Sequence, residues 1–147
     1  MLTEVTITKE ERTNAALAHG GIVLGIFSRG LLGILVAMLI WFTQRKTSRY
    51  VARQALQAAF YQLLGIGVAI AMWLGWALVF AGSIVFPLLI DAQHPEPMMP
   101  FTMIPALGLM AVPFIVMIGW TIYGIYAAWQ VWHGHDFSYP VIGKWFK

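Results

Sequence analysis

The chain has 147 residues, 60% hydrophobic and only 10% charged, with a formal net charge of +3 and no cysteine. Soluble domains run near ~25% charged residues, so a water-facing fold of this size cannot hide so much apolar surface, and lipid must solvate much of it. The missing cysteines exclude a disulfide framework, a thiolate metal site and a thiol nucleophile. The basic residues flank apolar runs, which argues against a nucleic-acid partner and is the distribution that orients membrane proteins.

Met1 to Thr8 reads as a loose tail. Thr8 is a fair helix N-cap, with Glu11 at the capping-box position. Glu10 and Glu11 then lie in the first turn, where the helix dipole favours negative charge. The first residues are polar and acidic (Glu4, Glu10, Glu11) and apolar sequence starts only at Ala15, so a retained N-terminus is expected in place of a cleavable signal.

From Ala15 to Phe42 the chain is almost continuously apolar over 28 residues. As one helix that is about 42 Å at ~1.5 Å per residue, against a hydrocarbon core near ~30 Å. Arg29 lies near the middle, where a charge costs about 2.5 to 3.5 kcal/mol. One reading is a single tilted helix with Arg29 buried in protein, giving three spans. The other is a hairpin of two short helices, about 9–28 and 31–46, with Arg29 at the far surface and Gly30 in the turn. The hairpin is favoured because it places Arg29 in water.

Gln44 to Arg53 is strongly basic and follows the interfacial aromatics Trp41 and Phe42. Ser48 can cap the next helix, expected over 49–90. Arg49, Arg53, Gln57 and Tyr61 recur every four residues as one polar face, and Val51, Ala55, Ala58 and Ala59 form the other. The polar face is expected to meet headgroups or a partner and the alanine face to meet a bundle. Pro87 weakens the last turn. Asp91 to Pro100 is a loop with no Lys or Arg, and 101–133 is the final helix, with a kink expected at Pro113. Residues 134–147 form a mixed tail ending in Lys144, Trp145, Phe146 and Lys147.

These elements make one domain over 1–147, an all-α integral membrane protein built as a bundle of four membrane helices. The basic loop 44–53 and the C-terminus are expected on the cytoplasmic side of the inner membrane, and loop 91–100 outside.

Few residues suggest chemistry. His19, next to Gly20 and Gly21, could ligate the metal of a haem or chlorin, although an interhelical hydrogen bond is the plainer and preferred reading. His133 and His135 are too closely spaced for a helical metal pair, His94 sits in the outer loop, and no metal site is expected. No carboxylate falls inside an apolar run, which weakens a transporter or channel reading, and the fingerprints of catalytic motifs are missing. Arg45, Lys46, Arg49 and Arg53 can bind anionic lipid headgroups or an acidic partner. The small-residue pairs Gly21 with Gly25, Ala55 with Ala59, and Gly124 with Ala128 suit close helix packing. Trp73 and Trp76 lie deep in their helix and are expected to fill packing contacts.

Three blocks carry a resemblance. They are Arg12 to Gly20 (RTNAALAHG), Trp41 to Gln62 with Trp41, Arg45-Lys46, Tyr50-Val51, Gln54, Ala58 and Tyr61-Gln62 at marked positions, and Gly134 to Pro140 (GHDFSYP). Together they resemble small bacterial membrane proteins of a domain-of-unknown-function family related to the Tic-twenty-like component of the chloroplast import translocon. That family commonly has Asn before the aromatic–Gln pair, where this chain has Phe60. The resemblance implies a four-helix membrane domain and no catalytic residues. The reading that follows is a non-catalytic accessory or assembly subunit of a larger membrane protein complex, with other membrane subunits and lipids as partners. The alternatives are a haem- or chlorin-carrying subunit using His19, and, from the resemblance alone, a protein translocation or insertion component.

Overall fold

The computed structural model describes residues 7–146, so Glu4, Lys147 and most of the expected N-terminal tail lie outside the described residues. Every regular element among the described residues is helical. Contacts divide the chain into two units: residues up to 66 together with those from 120 onward, and residues 67–119.

The first unit begins with α1 (Lys9–Gly20). Thr8 Oγ1 accepts from the Glu11 amide at 3.2 Å while the Glu11 carboxylate accepts from the Thr8 amide at 2.9 Å, a complete capping box. The helix is interrupted only at Gly21 and resumes as α2 (Ile22–Phe27). Arg29 and Gly30 then adopt φ of 55° and 94°, and the Gly30 amide returns to the Gly25 carbonyl at 2.7 Å. Two successive left-handed residues reverse the chain, and glycine takes the second at no steric cost. Ser28 Oγ accepts from the Leu32 amide at 2.9 Å and starts α3 (Leu31–Gln44), which packs back along α1 and α2. A Cβ at Gly33 would stand 2.6 Å from the Gly21 carbonyl oxygen, so the two arms touch through backbone. α3 ends two residues before the position 46 that the sequence pattern suggests, because Arg45 to Thr47 form the turn into the next helix.

α4 (Arg49–Ile90) begins at Ser48, whose Oγ accepts from the Val51 amide at 3.2 Å and donates to Glu11 at 2.6 Å. Its residues to Ile66 belong to the first unit, as do the second half of α6 (Ala111–Trp132), from Trp120 on, and the tail with its short 3-10 helix, Ile142–Phe146.

The second unit holds the rest of α4, the loop after Ile90, α5 (Met99–Gly108) and the first half of α6. The expected single helix over 101–133 is in fact two. The break falls at Leu109 and Met110, because the Pro113 ring cannot sit over the carbonyl four residues earlier, that of Leu109. Inside the unit, Trp76 Nε1 donates to the Ala106 carbonyl at 3.0 Å, Thr102 Oγ1 donates to that of Ser83 at 2.6 Å, and Trp73 meets Trp76 and Phe114 edge-on.

Burial is inverted relative to a soluble protein. One buried cluster is entirely alanine, namely Ala18, Ala37, Ala55, Ala58 and Ala59. Two further clusters gather around Tyr61 with Tyr139 and around Val131, and the largest fully buried side chains include His19, Gln54 and Gln57. Large apolar side chains face outward instead: Phe27 is 85% exposed, Leu78 75% and Phe101 82%. α4 and the stretch Met99–Trp132 are each long and apolar enough to cross a membrane, and almost none of their most apolar windows is buried inside the protein. A soluble core helix would bury that face, so the solvent of these faces is hydrocarbon.

Candidate functional site

The first unit is organised around a polar seam. α1 ends by placing His19 inward, α4 contributes Gln54, Gln57, Tyr61 and Gln62, and the tail supplies Asp136, Phe137 and Tyr139. The tail reaches them because Gly134 (φ 85°) turns the chain back after α6, with the His135 amide returning to the Gln130 carbonyl at 3.1 Å.

Gln54 is the junction. Its Nε2 donates to Asp136 Oδ1 at 2.8 Å and to the Phe137 carbonyl at 2.9 Å. Its Oε1 lies 3.0 Å from His19 Nε2, and the Tyr139 hydroxyl lies 3.0 Å from His19 Nδ1. An amide oxygen can only accept, so His19 carries its proton on Nε2 and accepts from the Tyr139 hydroxyl at Nδ1. Burial pushes the Tyr139 phenol well above its ordinary pKa, with the Tyr61 and Tyr123 phenols adding to the effect, which keeps it a neutral donor. The Tyr139 amide donates to Gln57 Oε1 at 3.4 Å, and Gln62 Nε2 donates to the Ala18 carbonyl at 3.3 Å. Arg53 pairs with Asp136 at the exposed rim. An aromatic stack closes the other side: Tyr61 lies 4.1 Å from Tyr139 and 4.7 Å from Trp120, nearly parallel to both, and donates its hydroxyl to the Trp120 carbonyl at 2.8 Å. His19 and Gln54 spend their hydrogen-bonding groups on each other and on the tail residues Tyr139, Asp136 and Phe137, an arrangement suited to holding α1, α4 and the tail in one register.

The residues singled out from sequence fall in distinct places. His19 has both ring nitrogens hydrogen-bonded, so ligating a metal would require one partner to leave. The expected polar face of α4 is divided. Arg49 is exposed and Arg53 half-buried, whereas Gln57 and Tyr61 are buried instead of facing headgroups, because the returning tail covers them. Arg45 lies over the rings of Trp41 and Phe42 at 5.3 and 4.6 Å, a cation–π arrangement, and Lys46 is exposed. Gly21 meets α3 and Gly25 meets Gly30 in the turn. Ala55 and Ala59 are in the alanine cluster. Gly124 is buried against Ile22, and further along α6 Ala127 and Val131 are fully buried while Ala128 is half-buried. His94 pairs loosely with Asp91, 3.8 Å away, His133 contacts the Trp129 carbonyl, and His135 is exposed.

Sequence reasoning missed Gln54, Gln57 and Gln62 as a group, along with Asp136, Phe137 and Tyr139. A signal existed. Three glutamines within nine residues of an otherwise apolar helix are costly in lipid unless they find partners, and the tail after Gly134 is one of the polar stretches that could supply them.

No curated protein and no solved structure matches this chain. A family model does, that of the magnetosome magnetite crystal formation proteins (MamF/MmsF), over residues 10–146. This corrects the resemblance to Tic-twenty-like proteins. The three blocks behind that resemblance are the segments that meet in the seam, through His19, Gln54 with Gln62, and Asp136 with Tyr139, and their features are common among helical membrane proteins: small residues, and in the second block an interfacial Trp and a basic pair. The match extends from the second residue of α1 to the end of the 3-10 helix, and so includes the whole seam and both apolar helices. The chain therefore belongs to the magnetosome magnetite crystal formation protein family.

Proposed function

We propose that this protein is a non-catalytic membrane component of magnetite crystal formation, acting through its helical surfaces on other subunits of the magnetosome membrane. The observation that carries the reading is the inverted burial within a chain of this family: polar side chains are gathered in an internal seam, and apolar side chains are presented outward (Phe27, Leu78 and Phe101 among them). In this reading four segments cross the bilayer: α1 from Ala15 onward with α2, α3, α4, and α5 with α6, so that the charged first turn of α1 stays outside the hydrocarbon. α3 spans about 21 Å at ~1.5 Å per residue, and the shortfall is met by local thinning and by the snorkelling side chains of Arg45 and Lys46. The turn at 45–48 and the C-terminus share the cytoplasmic side, and Arg29 and the loop 91–98 lie opposite. Arg45, Lys46 and Arg49 face the headgroups. The protein uses no cofactor, and His19 serves as a positioning group between α1 and the tail.

Deleting the gene in a magnetite-forming cell and restoring it tests the role. Crystals that are fewer, smaller or misshapen by electron microscopy, and that recover on complementation, support it. Crystals of normal number, size and shape in the deletion would overturn it. Co-purification in mild detergent tests the partner claim, and a lone monomer would count against it.

A further inference from the structure

A second feature of the first unit lies outside the seam, between the start of α1 and the end of α6. Lys9, Arg12, Thr13 and Trp132 line a cleft of about 130 Å³. Among the described residues neither Lys9 nor Arg12 has an ion-pair partner. Arg12 Nε is sealed from solvent and has no hydrogen-bond partner among them. A buried donor on a charged group is costly until an acceptor meets it. The carboxylates close in sequence or space are engaged elsewhere. Glu11 is held by Thr8 and Ser48, and Asp136 by Arg53 and Gln54, while Glu10 is exposed. Gly134 gives the guanidinium its room, since a Cβ there would stand 3.3 Å from Arg12 Cδ and 3.4 Å from Nη1.

We propose that this cleft binds the phosphate of an anionic phospholipid. Two cations on one cleft, neither with an ion-pair partner among the described residues, suit a group that offers several acceptor oxygens. The Thr13 hydroxyl already donates to the Lys9 carbonyl at 2.9 Å, so its oxygen is left to accept from a headgroup hydroxyl such as that of a glycerol. The surroundings point to a lipid and not to free phosphate. Trp132 is half exposed at the rim, as an interfacial ring should be. Below it the apolar exposed side chains of Trp129 on α6 and Leu17 on α1 continue the surface on which an acyl chain would lie. Such a lipid would tie the start of α1 to the end of α6 from outside, as the seam ties α1 to the tail from within.

The test is native mass spectrometry of the full-length protein in detergent, titrated with phosphatidylglycerol, phosphatidylcholine or inorganic phosphate. One phosphatidylglycerol is expected to bind in preference to phosphatidylcholine, and inorganic phosphate at equal concentration should not displace it. Lys9→Gln and Arg12→Gln are each expected to weaken it about fivefold, from roughly 1 kcal/mol per cation near a membrane surface. Arg29→Asn, an equal charge change at the distant hairpin turn, should leave it unchanged. Lys9 is exposed, so its variant reports on binding even if Arg12→Gln perturbs folding. Equal retention of phosphatidylcholine, displacement by inorganic phosphate, or full affinity in Lys9→Gln would overturn the proposal.

Discussion

The side-chain amide of Gln54 on α4 donates at 2.8 Å to the carboxylate of Asp136, 82 positions further along the chain. Through the same amide the tail is linked to His19 on α1, so one residue couples three segments. Replacing Gln54 with Ala would leave Nε2 of the buried His19 and the carbonyl of the half-buried Phe137 unpaired. Unmet buried groups cost about 1–3 kcal/mol each, and hydrogen bonds between membrane helices contribute about 0.6 kcal/mol on average. Gln54→Ala is expected to destabilise the protein by about 2–4 kcal/mol, read as a lowered Tm in detergent. Leu63→Ala, on the same helix but facing outward, is the comparison and should cost less.

His19 is expected to give a colourless protein. Both ring nitrogens are hydrogen-bonded, to Gln54 and Tyr139. The protein purified from haem-replete cells should show no visible absorption band above baseline, and His19→Gln should change stability without changing the spectrum. A band lost in that variant would establish the haem- or chlorin-carrying alternative.

The glycines separate by what surrounds them. At Gly33 an added Cβ would come to 2.6 Å from the backbone oxygen of Gly21 and to 3.1 Å from Gln62 Cδ, whereas at Gly67 and Gly75 it would meet nothing within 4 Å. Gly33→Ala is therefore expected to destabilise by about 1–3 kcal/mol through overpacking. Gly67→Ala and Gly75→Ala should be neutral or stabilise by up to about 1 kcal/mol, the helical advantage of alanine over glycine. Unfolding of the three variants in a mixed-detergent titration measures the difference.

Glu11 gives a pH dependence with a definite sign. The Ser48 hydroxyl, and then the Thr8 backbone amide, hold its carboxyl below the usual carboxylate range. A carboxyl whose pKa is lowered by folding contributes its full stabilisation above the unfolded value near ~4.3, and the contribution is lost as pH falls through the folded value. Wild type should melt above Glu11→Gln at pH 7, and the gap should shrink as pH falls below the carboxylate range. A gap that does not change with pH would mean that the charge on Glu11 contributes nothing.

The helical membrane class is legible in composition alone, since 60% hydrophobic and 10% charged residues in one chain of 147 leave no soluble alternative. Local signals are legible too. Thr8 with Glu11 makes the capping box, and Ser48 starts α4. Arg29 marks an interruption, but the choice between a tilted helix and a turn depends on the left-handed pair Arg29–Gly30, which no periodicity reveals. The seam is the least legible part. Its tail residues lie 82 positions or more from their partners on α4 and α1, and even His19 and Gln54 are 35 apart; the tail reaches them because Gly134 reverses the chain after α6. A helical wheel of α4 therefore reads Gln57 and Tyr61 as part of an outward polar face, when the tail has converted that face into an interior.

A direct test of the reading as a membrane-crossing protein with a polar interior uses the lack of cysteine in the chain. Single cysteines at Arg29, in the turn between α2 and α3, and at Lys46, in the turn between α3 and α4, can be labelled in sealed, oriented membranes with an impermeant maleimide. Arg29→Cys should react only from the face away from the cytoplasm and Lys46→Cys only from the cytoplasmic face. Labelling of both from the same face would contradict the crossing of α3, and with it the four-segment arrangement.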